Sequence, residues 1–92
     1  MRRIAYHARF KKDLKRAVKR GRSIALLQSV ITMLANDETL PPQYRDHPLT
    51  NSRNYQGVRE CHIQPDWLLI YQYEDDLLLL DLLRTGSRSD LF

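Results

Sequence analysis

The sequence predicts an α+β domain in which an N-terminal strand leads into a two-helix hairpin, packed on an antiparallel sheet of about four strands. Three observations carry this expectation. Apolar residues recur at helical spacing through the first 36 positions, apolar runs bounded by turn residues fill positions 57–83, and a proline-bearing stretch of loop composition separates the two halves.

Arg3-Ile4-Ala5-Tyr6 is short and reads as a first strand. From Ala8 to Arg20, Phe10, Leu14, Ala17 and Val18 fall at i, i+4, i+7 and i+8, one apolar stripe of an amphipathic helix. Lys11, Lys12, Lys15, Arg16 and Lys19 cover its other faces, and Gly21 is a suitable residue to end it. Ser23 is an N-cap for a second helix to about Asn36, with Ile24, Leu27, Ile31 and Leu34 at helical spacing and Leu26, Val30 and Met33 widening the stripe. Only Gly21 and Arg22 separate the helices, so an antiparallel hairpin is expected.

Pro41-Pro42 stops the second helix, because proline lacks the backbone donor and restricts the residue before it. The thirteen residues Gln43 to Tyr55 read as a loop, and loops of that length are often functional. Three strands then follow at about Gly57–Ile63, Trp67–Tyr73 and Leu77–Leu83. Gln64-Pro65-Asp66 joins the first pair and Glu74-Asp75-Asp76 the second, so the three form an antiparallel meander. Trp67-Leu68-Leu69-Ile70-Tyr71 is apolar on both alternating faces, as suits a central strand. His62 and Asp66 would then be held at one rim of the sheet.

With 92 residues the chain has room for one domain, spanning 1–92. Its apolar runs, such as Leu77 to Leu80, are far short of the ~20 residues of a membrane span. The N-terminus lacks the apolar segment of a secretion signal, and the single cysteine, Cys61, has no partner for an internal disulfide. Both features point to the cytoplasm. Charge is unevenly spread. Residues 1–22 hold ten of the fifteen Lys and Arg and one acid, Asp13, for a net of +9, whereas residues 23–92 carry a net of −5. Concentrated basic charge suits a polyanion such as nucleic acid, or an acidic protein partner.

The candidate chemistry lies in His47 of the long loop, His62, Asp66 and Trp67 around the turn, Arg84 past the last strand, and the tail Ser87 to Phe92. Each taken alone has a plainer explanation: Trp67 suits a core, and Arg84 can mark where the last strand reaches water. Cys61, within a strand, reads as a small buried residue, and the histidines lack metal-ligand spacing. No cofactor is expected.

The set acquires meaning together. Asp46-His47-Pro48-Leu49, the run from Gly57 to Tyr71, Leu83-Arg84-Thr85-Gly86-Ser87 and the closing Leu91-Phe92 resemble, in order and interval, the YafQ branch of the RelE/ParE toxin superfamily. The resemblance covers nearly the whole chain. It implies a RelE-like fold and the toxin half of a bacterial type II toxin-antitoxin pair, which enters the ribosomal A site and cleaves mRNA. It also implies a cognate antitoxin of the DinJ or RelB type and contact with the 70S ribosome, its RNA and mRNA. By the same resemblance His47, His62, Asp66, Arg84 and, at the position where the family pattern has histidine, Arg88 belong to the catalytic set. Trp67, Ser87 and Phe92 would bind substrate, and Lys11, Lys12, Lys15, Arg16 and Lys19 would contact ribosomal RNA.

The chemistry can be stated without the family. Metal-free RNA cleavage uses the ribose 2′-hydroxyl as nucleophile and needs a base, a cation beside the phosphorane and an acid for the leaving oxygen. Histidine, with a reference pKa of ~6.5, suits either proton-transfer role. Asp66 suits a base or an orienting group, Arg84 a phosphorane stabiliser, and Trp67 or Phe92 a stacking platform. A guanidinium at position 88 donates hydrogen bonds but does not readily give up a proton. Three expectations compete there: His47 or His62 is the acid, Arg88 aids the leaving group electrostatically, or the chain is a weakened or inactive toxin. A non-catalytic, ParE-like binding toxin is the alternative from another class.

Overall fold

A computed structural model describes residues 1–49 and 57–92. Strand β1 (Arg3–Tyr6) leads into helices α1 (Ala8–Lys19) and α2 (Ile24–Ala35). A short edge strand β2 (His47–Pro48) follows, then β3 (Arg59–Gln64), β4 (Trp67–Glu74), β5 (Leu79–Gly86) and a four-residue helix α3 (Arg88–Leu91). The α+β architecture and the helical hairpin are as expected. The sheet differs from an antiparallel one of about four strands: it has five, in the order β1-β5-β4-β3-β2, and β1 runs parallel to β5. The difference arises because the first strand pairs with the last, a non-local choice no spacing signals. β2 lies inside the stretch expected to be loop.

The hairpin forms for local reasons. Gly21, at φ +75°, takes the left-handed position after α1, and the Arg22 amide bonds back to the Ala17 carbonyl while that of Gly21 bonds to Val18. This Schellman closure satisfies carbonyls the helix would otherwise leave open. Ser23 caps α2 by accepting the Leu26 amide. The buried face of α1 is Phe10, Asp13 and Ala17, with Leu14 half-buried; Val18, expected in that stripe, is 57% exposed. Leu26 is likewise more exposed than its helical spacing implies.

Alternation splits the sheet into two faces. Cys61, Ile63, Trp67, Leu69, Tyr71, Leu80 and Leu82 pack with Phe10, Ala17, Leu27, Val30, Ile31 and Leu34 of the hairpin as the main core. Val58, Leu68, Ile70 and Leu91 form a smaller cluster on the opposite face. Trp67 to Tyr71 are all buried, as a central strand requires. The last strand begins two residues later than its apolar run, since Asp75–Leu77 form a 3-10 turn and Leu78 adopts a left-handed conformation, leaving both leucines exposed.

Candidate active site

The face opposite the hairpin gathers most of the candidate residues. Glu60 and His62 point there from β3, because Cys61 and Ile63 between and beside them belong to the helix-covered core. His47 pairs directly across from Glu60 in the β2–β3 register, which brings a third residue to the same face. Its neighbour Asp46 anchors that strand: it accepts from the Tyr71 hydroxyl and, at 3.3 Å, from Arg59 Nε. Burial pushes the Tyr71 hydroxyl well above its ordinary pKa and the bond to Asp46 adds to this, so it remains a proton donor.

The centre of the cluster is Glu60, which is fully buried. Its Oε1 lies 3.1 Å from Arg88 Nη2, 3.5 Å from His47 Nε2 and 3.7 Å from His62 Nε2. Its Oε2 is buried and has no hydrogen-bond partner among the described residues. The tautomers of both histidines follow from their second nitrogens. His47 Nδ1 is 2.6 Å from the Arg45 carbonyl and His62 Nδ1 3.3 Å from that of Pro65. A carbonyl only accepts, so each Nδ1 carries a hydrogen and each Nε2 is the site that gains or loses the mobile proton. The two rings stand 6.4 Å apart.

Beside this cluster is a hollow of about 580 Å³, lined by His62 and Asp66 on one side and by Ser87, Arg88, Ser89 and Phe92 on the other, with Pro65 and Leu68 between. Asp66 sits in the sharp β3–β4 turn, and its side chain is 76% exposed, 3.5 Å from Arg22. Phe92 is half exposed with the Arg88 guanidinium 5.2 Å above its ring. Ser87 is the N-cap of α3, its hydroxyl accepting the Asp90 amide while the Asp90 carboxylate accepts the Ser87 amide.

His47, His62, Asp66, Ser87, Arg88 and Phe92 are thus brought to one region. Two candidates fare differently. Trp67 is not a stacking platform: the indole is fully buried in the main core and donates to Thr85 Oγ1 at 2.8 Å, so neither ring face is open to a base. Arg84 does not line the hollow; Asp13 clamps its guanidinium, accepting from Nε at 2.7 Å and Nη2 at 3.2 Å. Lys11, Lys12, Lys15, Arg16 and Lys19 are exposed along α1, and Arg16 also lies 3.7 Å from Asp90. Burial raises the Cys61 thiol's pKa, which leaves it an unreactive core residue. Among the described residues no group of three or more His, Cys, Asp or Glu is arranged to hold a metal ion.

Glu60 and Asp13 are the residues sequence reasoning missed. A signal existed for Glu60, which stands two positions before His62 in a strand and so shares its face. Asp13 sits where α1's buried stripe passes, as the one acid among ten bases.

An α+β sheet covered on one face by a helical hairpin is the architecture of a group of small bacterial toxins. A toxin from Helicobacter pylori, solved in a metal-bound form, superposes with a TM-score of 0.93 at 43% identity over the whole of both chains. The toxin of the Escherichia coli DinJ–YafQ complex superposes at 0.87 with 42% identity, over all of this chain and 99% of that one. The mRNA interferase toxin YafQ of Escherichia coli strain B is 42% identical over 90 residues, 97% of this chain and 94% of the relative. The family model described as the bacterial toxin of type II toxin-antitoxin system, YafQ, matches residues 2–92. The chain belongs to the YafQ family of type II toxin-antitoxin toxins.

Proposed function

We propose that this chain is an mRNA interferase, an endoribonuclease that cuts mRNA on the translating ribosome by 2′-hydroxyl attack without a metal. The observation that supports it most directly is the convergence of His47, His62 and Arg88 on the buried Glu60 carboxylate beside the hollow. In this reading the phosphate lies in the hollow. His62 Nε2 takes the 2′ proton as the 2′-oxygen bonds to phosphorus, the bond from phosphorus to the 5′-oxygen breaks, and His47 supplies the proton to that leaving oxygen. The products are a 2′,3′-cyclic phosphate and a free 5′-hydroxyl. Arg88 donates to the developing phosphorane charge, the task a guanidinium performs well and the reason it need not be the acid. Glu60 holds Arg88 and the two imidazoles in register and faces whichever imidazole carries the extra proton.

The exposed lysines and arginines of α1 suit contact with ribosomal RNA phosphates, which position a protein without reading sequence. The expected partner is an antitoxin, as in the DinJ–YafQ complex, and the expected setting is the cytoplasm, where ribosomes translate. The experiment is to map mRNA 5′ ends after inducing the parent chain and His62→Ala in cells. Translation-dependent, in-frame cuts that vanish with His62→Ala support the reading. Growth arrest without such cuts would leave a binding toxin of the ParE kind.

A further inference from the structure

The hairpin that covers one face of the sheet also reaches both rims of the hollow on the other. Its turn, Arg20-Gly21-Arg22, sends one guanidinium to each. Arg20 donates to both carboxylate oxygens of Asp90 on α3, Nη1 to Oδ2 at 2.7 Å and Nη2 to Oδ1 at 3.3 Å. Arg22 lies 3.5 Å from Asp66 at the β3–β4 turn, its guanidinium resting 5.3 Å from the centre of the Trp67 ring. The Schellman closure at Gly21 fixes the backbone between them.

Asp90 in turn is the residue that holds α3 together. It closes a reciprocal capping box with Ser87, Oδ2 accepting the Ser87 amide at 3.0 Å. The chain makes room for this: a Cβ at Gly86 would stand 3.1 Å from Asp90 Cβ and Oδ2, so a larger residue there would push the carboxylate aside. A helix of four residues has too few internal hydrogen bonds to persist by itself. Its attachments include the buried Leu91, the contact of Arg88 with Glu60 at 3.1 Å and this carboxylate, which Arg16 also approaches at 3.7 Å. Exposed ion pairs are generally weak, but a bidentate pair tied into a cap has the geometry in which they are not.

We propose that Arg20 and Asp90 are positioning residues, a brace by which the α1–α2 turn fixes α3 so that Ser87, Arg88 and Phe92 face the hollow opposite Asp66. Neither residue lines the hollow, and both act through the three that do. Arg20, just past the end of α1, on this view serves the site's shape rather than contact with RNA. The effect on turnover rests on the nuclease reading; the effect on α3 does not.

The test compares the intact chain with Arg20→Ala, Arg20→Lys and Asp90→Asn, the last retaining a side-chain oxygen for the Ser87 amide while removing the charge. In Arg20→Ala, amide hydrogen exchange at Ser87, Asp90 and Leu91 is expected to quicken by about tenfold while Leu69 in β4 is unchanged. Cleavage on programmed ribosomes should lose about tenfold in kcat with KM nearly constant, because misplacement of catalytic groups costs rate before affinity. Arg20→Lys should recover part of both, and Asp90→Asn should fall between. Unchanged exchange at these amides in both Arg20→Ala and Asp90→Asn overturns the brace. Faster exchange with parental kcat and KM overturns its part in turnover. A parent chain that cleaves nothing overturns the nuclease reading instead, and the brace then stands or falls on exchange alone.

Discussion

Two buried carboxylates, one on each face of the sheet, are treated in opposite ways. Asp13, on the hairpin side, is 4% exposed and saturated: Oδ2 accepts from Arg84 Nε and the Thr85 amide, and Oδ1 from Arg84 Nη2. Glu60, on the open side, is wholly buried, yet its three partners all crowd Oε1, and Oε2 has none among the described residues. A saturated charge in a rigid seam ties elements together. An unsaturated one among groups able to carry protons is costly to fold around and useful for chemistry.

The comparison breaks if the two carboxylates respond alike to mutation. Asp13→Ala should be the more damaging to the fold, because it leaves the Arg84 guanidinium and the Thr85 amide without their acceptor. Removing one partner of a buried pair costs about 3 kcal/mol or more, which urea unfolding would register. Glu60→Gln should do the reverse. It relieves a buried charge, so stability should change by less than about 1 kcal/mol or rise, while cleavage should drop by roughly 10²-fold as the imidazoles and Arg88 lose their common anchor. A Glu60→Gln protein that unfolds but cleaves normally at low temperature would reverse the assignment.

Trp67 sharpens the same distinction at smaller amplitude. Its indole donates to Thr85 Oγ1, and that hydroxyl donates to the Leu68 carbonyl at 2.7 Å, next to the amide that Asp13 accepts. Trp67→Phe keeps most of the buried ring and removes one hydrogen bond, so a loss of about 1 to 2 kcal/mol in urea unfolding is expected. Cleavage per folded molecule should be unchanged; a fall in kcat with stability intact would return Trp67 to the substrate.

How much of this was legible in the sequence depends on the range of the interactions. The helix caps at Gly21 and Ser23, the β3–β4 turn and the central strand are local, and residue type and spacing announced them. The parallel pairing of β1 with β5 and the β2–β3 pairing join residues distant in the chain, and nothing in either segment alone selects its partner. The site divides along the same line. His62 and Asp66 flank one turn and could be placed together, whereas Glu60 reads as one more strand residue until His47 and Arg88 arrive from other elements. Asp13 was hidden by its setting, since an acid in a run of bases looks like part of a solvated face. Trp67 could be read either way, and packing decided it.

Asp90 stands between the two regions, tied by Arg20 to the hairpin and by Ser87 to the rim, and its titration offers the finest test. The Arg20 guanidinium, with the Ser87 amide, holds the Asp90 carboxyl well below the usual range in the folded chain. In the unfolded chain it should titrate near its reference value of about 3.9. A depressed folded-state pKa means that the folded form binds a proton less readily, so the charged carboxylate contributes stability above about pH 4, lost as the pH falls toward the folded value. The difference in unfolding free energy between the parent and Asp90→Asn should therefore be flat from pH 7 to about pH 5 and shrink below about pH 4. It should also narrow with added salt, since Arg20 is 46% exposed and the pair is partly screened. A difference that instead widened on acidification would mean that Asp90 is held as the neutral acid, and the guanidinium could not then be what fixes α3.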